Sequence, residues 1–301
     1  MSKNQINKYV WLVETLYRAK RINLKEINRL WTQTELSEGE EIPRRTFNNW
    51  RIAVEDIFDL VILCDKHENL YYIENREDLE NDGLQRWLLS TMSVNNTLLD
   101  NKALSDRIIL ENIPSGQDHL ATVMEAMKKS KLLEITYKGF GKEHGSTFPV
   151  APYCVKLFHQ RWYMVGNSVL EDKIRIYSLD RVIEARLTDE AFKYPARFSP
   201  EDFFSGYFGI IHDDSCTIET VRLRVRADQA NYLRSLPLHR SQTETERNRD
   251  YSIFTLQIRP TFDFLQELLW NGDALEVLEP LWLREDIIGT VKRMMENYKH
   301  S

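Results

Sequence analysis

The sequence predicts a multidomain α+β protein in which a winged helix-turn-helix, a helical linker, a small β-barrel and a compact α+β unit follow one another. Three observations indicate this fold class. Amphipathic helices precede a short hairpin near the N-terminus, several short strands with close turns occupy the middle, and helices alternate with strands towards the end. At 301 residues the chain can hold two or three domains, each with its own core.

Three helices and a hairpin are predicted within the first 76 residues. Apolar residues recur at helical spacing between Ile6 and Tyr17, and a second helix is expected after Asn23, a residue type that favours the N-cap position. The third helix, "PRRTFNNWRIAVEDIF", opens at Pro43, whose fixed φ suits a first helical turn. The runs "LVILC" and "LYYI" then flank the polar turn "DKHEN", as the two strands of a wing would.

The first turns of the third helix carry the candidate DNA contacts. Arginine can bind guanine, and asparagine can bind adenine, through two hydrogen bonds each, and both side chains also contact phosphates. A solvated helix face would show the same polar composition, but the position before a wing favours DNA recognition. The candidate residues are Arg44, Arg45, Thr46, Asn48, Asn49 and Arg51.

Charge limits how strongly residues 1–76 can bind DNA. This segment has twelve basic and twelve acidic residues, and the whole chain has a formal net charge of −6. Non-specific affinity for phosphates should therefore be modest. A homodimer that reads two half-sites is the physically easier arrangement.

The remaining chain is predicted to form a linker and two further domains. Residues 77–130 are expected to be a helical linker, interrupted by "PSG" at 114–116. The strands "LLEITY", "YCVKLFHQ", "RWYMVGNS" and "KIRIYSLDRV" place a small barrel at 131–195. After a connector at 196–216, alternating strands and helices indicate a compact α+β unit at 217–301.

Two successive strands of the predicted barrel combine basic and aromatic residues. Alternation along "KIRIYSLDR" places Arg175 and Arg181 on one face, and we expect Tyr163 of "RWYMV" to lie on the same side. Arginine binds phosphate as a planar fork and aromatic rings stack on bases, so this combination suits a nucleotide or single-stranded nucleic acid. The candidate effector-binding residues are Tyr137, Lys156, His159, Tyr163, Arg175 and Arg181.

A structural interpretation of the same strands stays open. Trp162 would fill the barrel core, while the arginines would lie at the surface beside Asp180 or Asp172. Surface ion pairs of this kind are common and contribute little to stability.

No catalytic, metal or membrane motif is recognisable. The sequence lacks GxSxG, HExxH, Walker and GxGxxG patterns, its seven histidines are not at metal-ligand spacing, and its three cysteines form no CxxC. We therefore predict neither catalytic residues nor a cofactor or metal, and we expect no enzyme, although 46 acidic residues leave carboxylate catalysis open. The polar first 20 residues and the absence of a long apolar run predict a cytoplasmic protein without a membrane partner.

The order of several short motifs resembles bacterial transcriptional regulators with a WYL domain, a family named for a Trp-Tyr-Leu tripeptide. Downstream, "VRLRV" and "EVLEP" are similar to the C-terminal extension of that family, so the resemblance covers nearly the whole chain. The motifs of the WYL region are "EITY" at residues 134–137, Pro152 in "FPVAPY", "RWYMVG" at 161–166, "RIYSLDRV" at 175–182 and Phe192.

The resemblance implies an Sm-like (SH3-like) β-barrel that senses a nucleic acid or nucleotide and thereby alters DNA binding by an N-terminal winged helix. It also implies a homodimer, and members of the family regulate DNA-damage responses and phage-defence loci. This chain departs from the family at Met164, where a volume-conserving exchange replaces leucine. It departs again in "RRTFNNW", where many relatives have Arg-Asp after Arg-Thr, so the operator does not follow from relatives.

The leading hypothesis is a ligand-responsive, dimeric regulator, a repressor rather than an activator. Its partners would be double-stranded operator DNA, a nucleic acid or nucleotide effector, and a second copy of the chain. A second hypothesis is an RNA-binding or single-stranded-DNA-binding protein, in which the barrel is the main reader and the N-terminal domain mediates assembly.

Overall fold

The computed structural model describes residues 3–77, 83–100, 106–109 and 116–299. The chain divides into two compact units, Met1–Glu111 and Asn112–Ser301, and the described residues form a mixed α+β architecture with three antiparallel sheets. The predicted linker falls partly outside the described residues. Of its "PSG" break, only Gly116 is described.

The first unit combines helices with a three-stranded sheet of order β1-β3-β2. Asn23 caps the second helix as predicted, because its side-chain oxygen accepts from the backbone N–H of Glu26 at 2.9 Å. Pro43 stands at the N-cap, one residue before the third helix. The elements are α1 (Lys3–Ala19), β1 (Ile22–Asn23), α2 (Leu24–Trp31), α3 (Arg44–Phe58), β2 (Ile62–Asp65), β3 (Leu70–Ile73) and α4 (Gly83–Asp100).

Aromatic packing fixes α3 against the rest of this unit. The ring of Trp31 lies between those of Trp11 and Trp50, with centroid distances of 4.9 and 5.2 Å. Phe47 is fully buried and packs edge-on against Tyr71 of β3 at 4.8 Å. These contacts leave the opposite side of α3 towards solvent, because the buried positions recur every three to four residues.

The second unit begins with a helix packed on a five-stranded antiparallel sheet of order β7-β6-β5-β4-β8. Val123 and Ala126 of the helix join the fully buried Leu133 and Met164 in one core. A bulge between Pro152 and Cys154 bends the long β5. The elements are α5 (Gln117–Lys129), β4 (Lys131–Tyr137), β5 (Ser146–Phe158), β6 (Arg161–Ser168), β7 (Lys173–Ser178) and β8 (Val182–Ala191).

The predicted strand "KIRIYSLDRV" is interrupted. A 3₁₀ turn, Leu179–Arg181, separates β7 from β8. Leu179 is fully buried, and the carboxylate of Asp180 accepts a hydrogen bond from the hydroxyl of Ser178. This local side-chain bond offers an alternative to the strand ladder, which explains why the extended run stops here.

The C-terminal part of the second unit is a four-stranded sheet of order β10-β11-β9-β12 with helices on its apolar face. Strand β11 coincides with the predicted run "YSIFTLQI". Strand β10 was not expected, because all five of its side chains are polar and exposed. The elements are α6 (Pro200–Phe204), β9 (Glu219–Arg226), α7 (Ala227–Ser235), β10 (Thr243–Arg247), β11 (Tyr251–Ile258), α8 (Phe262–Trp270), β12 (Leu275–Glu279) and α9 (Leu281–Lys299).

Candidate nucleic-acid interface and effector site

The exposed face of α3 carries three of the candidate DNA contacts. Arg44, Arg45 and Asn49 are exposed, whereas Thr46 and Asn48 are half-buried at the edge of the same turns. Arg45 and Asn49 are four residues apart and therefore lie on one face of the helix. Sequence analysis did not single out Ile52, which continues this face and is 59% exposed.

Arg51 is placed differently from the other candidates. Its guanidinium Nε lies 3.9 Å from Oε1 of Glu55, and the same carboxylate oxygen accepts from the backbone N–H of Ile62 at 3.0 Å. Arg51 is half-buried, and the Glu55 carboxylate that it faces connects α3 with β2. Burial raises the pKa of the nearby Tyr71 phenol, while the positive charges of Arg44 and Arg51 oppose that shift.

The six candidate effector contacts do not share one pocket. Tyr163 pairs with Ser178 across the β6–β7 ladder, so Arg175, three residues before Ser178, points to the other face. Arg181 belongs to the 3₁₀ turn and follows no strand alternation. The predicted common face of Tyr163, Arg175 and Arg181 is therefore wrong, because neither the register nor the turn was visible in the sequence.

An aromatic cavity of about 630 Å³ contains Tyr163 and His159. His159 follows β5 with φ 45° and packs on Phe158 at 4.1 Å between ring centroids. Trp270 at the end of α8 is 86% exposed at this cavity. We define the aromatic cavity by Phe158, His159, Tyr163, Phe208, Ile210, Ile211, Asp263, Gln266, Glu267 and Trp270.

A basic cavity of about 890 Å³ contains Arg175. Its guanidinium pairs with the carboxylate of Glu171 at 2.5 Å, and both side chains are about half exposed. The ring of His212 stacks on that of Phe203 at 4.1 Å with an interplanar angle of 6°. We define the basic cavity by Lys173, Ile174, Arg175, Ile176, Phe203, Ile210, Ile211, His212 and Asp214.

Arg181 lines a third depression beside the β4–β5 loop, and Tyr137 lies next to it. The guanidinium of Arg181 lies over the ring of Tyr137 at 4.9 Å and over that of Phe140 at 4.2 Å. Phe140 is 80% exposed. Burial raises the pKa of the Tyr137 phenol, and the charge of Arg181 works against that shift. The neighbouring Asp180 instead binds Arg161 at 2.9 Å, as the structural interpretation expected.

The ammonium group of Lys156 contacts the connector at 196–216 and is not open to a ligand. Its ammonium group donates to the carbonyl oxygen of Gly209 at 2.6 Å and lies 3.9 Å from the ring centroid of Phe204. Burial lowers the pKa of this lysine to about 8, although the Asp263 carboxylate and the Cys154 thiol partly oppose the shift.

Asp263 is a buried residue that sequence analysis did not identify. Its two carboxylate oxygens accept from the backbone N–H groups of Ile210, Ile211 and Phe264, and from the hydroxyl of Thr261. The sequence "PTFDF" contains a signal for Asp263, because an acidic residue after Pro-Thr is typical of the first turn of a helix. Its partners more than fifty residues earlier could not be deduced from that pattern.

Comparison with protein families assigns two parts of the second unit. Residues 118–187 match the WYL domain and residues 217–295 match the WCX domain. The chain contains a WYL domain. Its match begins within α5, so the WYL domain includes the helix that covers the five-stranded sheet. The aromatic cavity lies between this WYL domain and the WCX region, since it combines β5 and β6 residues with α8 residues.

Two solved structures are similar to the chain at low identity. Proteasome accessory factor B/C (PafBC) of Arthrobacter aurescens is 15% identical, with a TM-score of 0.35, over 94% of this chain and 46% of that one. A CRISPR Cas-related protein is 11% identical, with a TM-score of 0.40, over 92% of this chain and 71% of that one. This chain thus spans less than half of the PafBC chain. No curated protein matches it.

The described residues show neither a metal-binding cluster nor a membrane-spanning helix. Within the described ranges, no group of three or more His, Cys, Asp or Glu side chains is arranged to hold a metal ion. None of the helices in the described part of the chain has both the length and the apolar character needed to cross a bilayer.

Proposed function

We propose that the chain is a DNA-binding transcription regulator whose WYL domain responds to a nucleic acid or nucleotide. The observation that carries this proposal is the exposed face of α3, where Arg45 and Asn49 stand ahead of the antiparallel β2–β3 hairpin. A helix in this position enters the major groove in winged helix-turn-helix proteins. Arginine and asparagine are the side chains that read guanine and adenine there.

We further propose that the chain forms a homodimer and that it represses transcription. Residues 1–76 carry equal numbers of basic and acidic residues, so a single copy can neutralise few phosphates. Two copies bound to adjacent half-sites would add their contacts, which supports a dimer on physical grounds. The proposal also makes the chain a cytoplasmic binding protein without catalytic activity or a cofactor.

We place the effector in the second unit, in the aromatic and basic cavities. Tyr163, His159 and Trp270 offer ring faces for stacked bases, and Arg175 with Lys173 offers positive charge for phosphates. Separate cavities of these two characters suit a ligand with both an aromatic and an anionic part. The resemblance to WYL regulators supports the same ligand class, and with it an Sm-like curvature of the five-stranded sheet.

The test of DNA binding begins with footprinting of the purified protein on chromosomal DNA of its source. Gel-shift titration on a recovered site then compares wild type with Arg45→Ala and Asn49→Ala. Each variant should weaken binding by about 1–3 kcal/mol, the usual contribution of a two-bond base contact. Arg249→Ala is the matched control, because this exposed arginine lies in the second unit and its loss changes net charge equally. Wild-type affinity in both α3 variants would remove α3 from the proposal.

One observation favours the alternative of a single-strand reader. Phe140 projects into solvent beside the Arg181 guanidinium, an arrangement on which a base can stack. Competition separates the two functions, because duplex operator DNA should displace single-stranded RNA from a regulator, and the reverse should hold for a single-strand reader. Phe140→Ala would weaken binding by about 1–3 kcal/mol only in the second case.

A further inference from the structure

The segment Phe208–His212, here named the strap, is held by side chains from two directions. From the WYL domain, Lys156 donates to the carbonyl oxygen of Gly209 at 2.6 Å. From the WCX region, one carboxylate oxygen of Asp263 accepts from the N–H groups of Ile210 at 2.9 Å and Ile211 at 3.0 Å. Three consecutive residues of the strap thus depend on charged partners that belong to different domains.

The strap lies too close to its neighbours to tolerate a side chain at position 209. A Cβ atom there would overlap the Asp263 carboxylate and would stand 2.7 Å from Cζ of Phe158. Phe208 packs perpendicular to Phe158, with ring centroids 5.6 Å apart. A small displacement of the strap would therefore disturb several contacts together.

The strap is also the wall that the two cavities share. Ile210 and Ile211 line the aromatic cavity on one side and the basic cavity on the other. A ligand that reaches across from the rings to the cationic side chains must cross these two residues. Their backbone N–H groups donate to the Asp263 carboxylate, so a movement of this wall breaks these two hydrogen bonds.

We propose that the strap is the element that the effector displaces, and that Lys156 and Asp263 are positioning residues that set how much effector is needed. This inference rests on the proposed function, since it takes a nucleic acid or nucleotide as the effector. The strap lies in the segment that joins the WYL match to the WCX match, so its release alters the non-covalent contacts between these two domains.

Desolvation of Lys156 reduces the free energy that separates the clamped state from the released one. Lys156 holds its ammonium group against an aromatic ring, where it loses hydration that it would regain on release. This desolvation opposes the hydrogen bond to Gly209. The intact clamp is therefore weaker than the number of its hydrogen bonds suggests, and a ligand can overcome it.

The experiment uses the full chain and a fluorescein-labelled single-stranded DNA of about ten nucleotides. Fluorescence polarisation gives oligonucleotide affinity, and hydrogen exchange reports on the N–H groups of Ile210 and Ile211. Saturating oligonucleotide should speed exchange of these two groups about tenfold or more. Lys156→Met should bind the oligonucleotide up to about tenfold more tightly, the factor expected from removing one hydrogen bond to a charged group. Lys193→Met, at an exposed lysine outside the strap, is the matched control.

Gly209→Ala gives a second route if Lys156→Met folds poorly, because the added methyl group forces the strap from its anchors. It should also tighten oligonucleotide binding and speed exchange without ligand. Two results would overturn the proposal that the effector displaces the strap. In the first, the oligonucleotide binds but leaves hydrogen exchange of Ile210 and Ile211 unchanged; in the second, both variants bind it with wild-type affinity. The proposed function stands in either case. An oligonucleotide that fails to bind wild type would overturn the strap as the target of a nucleic-acid effector, whereas the gel-shift titration of the α3 variants decides operator binding separately.

Discussion

Replacement of Asp263 by asparagine is the sharpest test of how the second unit is held together. Asp263 is 8% exposed and accepts four hydrogen bonds. Asparagine keeps the shape and one acceptor, but an NH₂ group then faces the N–H groups of Ile210 and Ile211, or else the N–H group of Phe264 and the hydroxyl of Thr261. Two backbone N–H groups lose their acceptor in the first orientation and one in the second, because the hydroxyl can turn and accept from the NH₂ group.

The magnitude follows from that loss. Each buried N–H group left without a partner costs about 1–3 kcal/mol, so the loss is about 1–3 kcal/mol for one group and about 2–6 kcal/mol for two. The strap can expose part of its N–H groups to water, which reduces the loss of stability, so we expect a value of about 3 kcal/mol. For a unit of this size, that corresponds to a fall in Tm of about 6–12 °C.

The assay is calorimetric unfolding of the full chain, with Asp286→Asn as the matched control. Asp286 is an exposed aspartate of α9, so its exchange removes the same charge without a buried hydrogen bond. We expect the transition of the second unit to shift in Asp263→Asn and to stay in place in the control. A shift as small as that of the control would refute the reasoning that this carboxylate anchors the strap.

Three further predictions address the other features. Ile52→Glu should abolish operator binding yet leave Tm unchanged within about 1 °C, because this side chain is largely exposed; retained binding in gel-shift titration would contradict it. Arg175→Ala should reduce the operator response to oligonucleotide more than Arg181→Ala, because Arg175 lines the basic cavity and Arg181 does not; equal effects in a release assay would argue against the basic cavity. Lys156 has a pKa of about 8 in the folded chain and 10.5 in the unfolded chain, so the unfolded chain binds more protons between these two pH values. The free energy of unfolding of the second unit, measured by chemical denaturation, should therefore rise with pH across this window in wild type but not in Lys156→Met.

Much of the first unit was predictable because its elements carry their own periodicity. The apolar stripe of α3 and the alternation in β2 and β3 are local patterns, and Asn23 acts on an N–H group three residues away. The exposed Arg45 and Asn49 followed directly from that stripe, since a helix that buries Phe47 must turn them outwards.

The effector region was less predictable, because its geometry depends on register and on distant residues. The side chains of Tyr163 and Arg175 could be assigned to faces only once the pairing of β6 with β7 was known. The anchoring of Lys156 by Gly209 joins positions 53 residues apart, and no local pattern encodes such a pair. The fully polar β10 shows the same limit, because an edge strand without buried side chains has no apolar alternation.

The shared position of Ile210 and Ile211 has a consequence for two small molecules that bind at once. A ligand that moves these residues in one cavity also changes the other cavity. A base-like molecule among the rings and a phosphate beside Arg175, if not joined in one ligand, would therefore alter each other's affinity without touching. Linked as one nucleotide they would act on the wall together, so the affinity of the intact molecule would differ from that expected from its two parts.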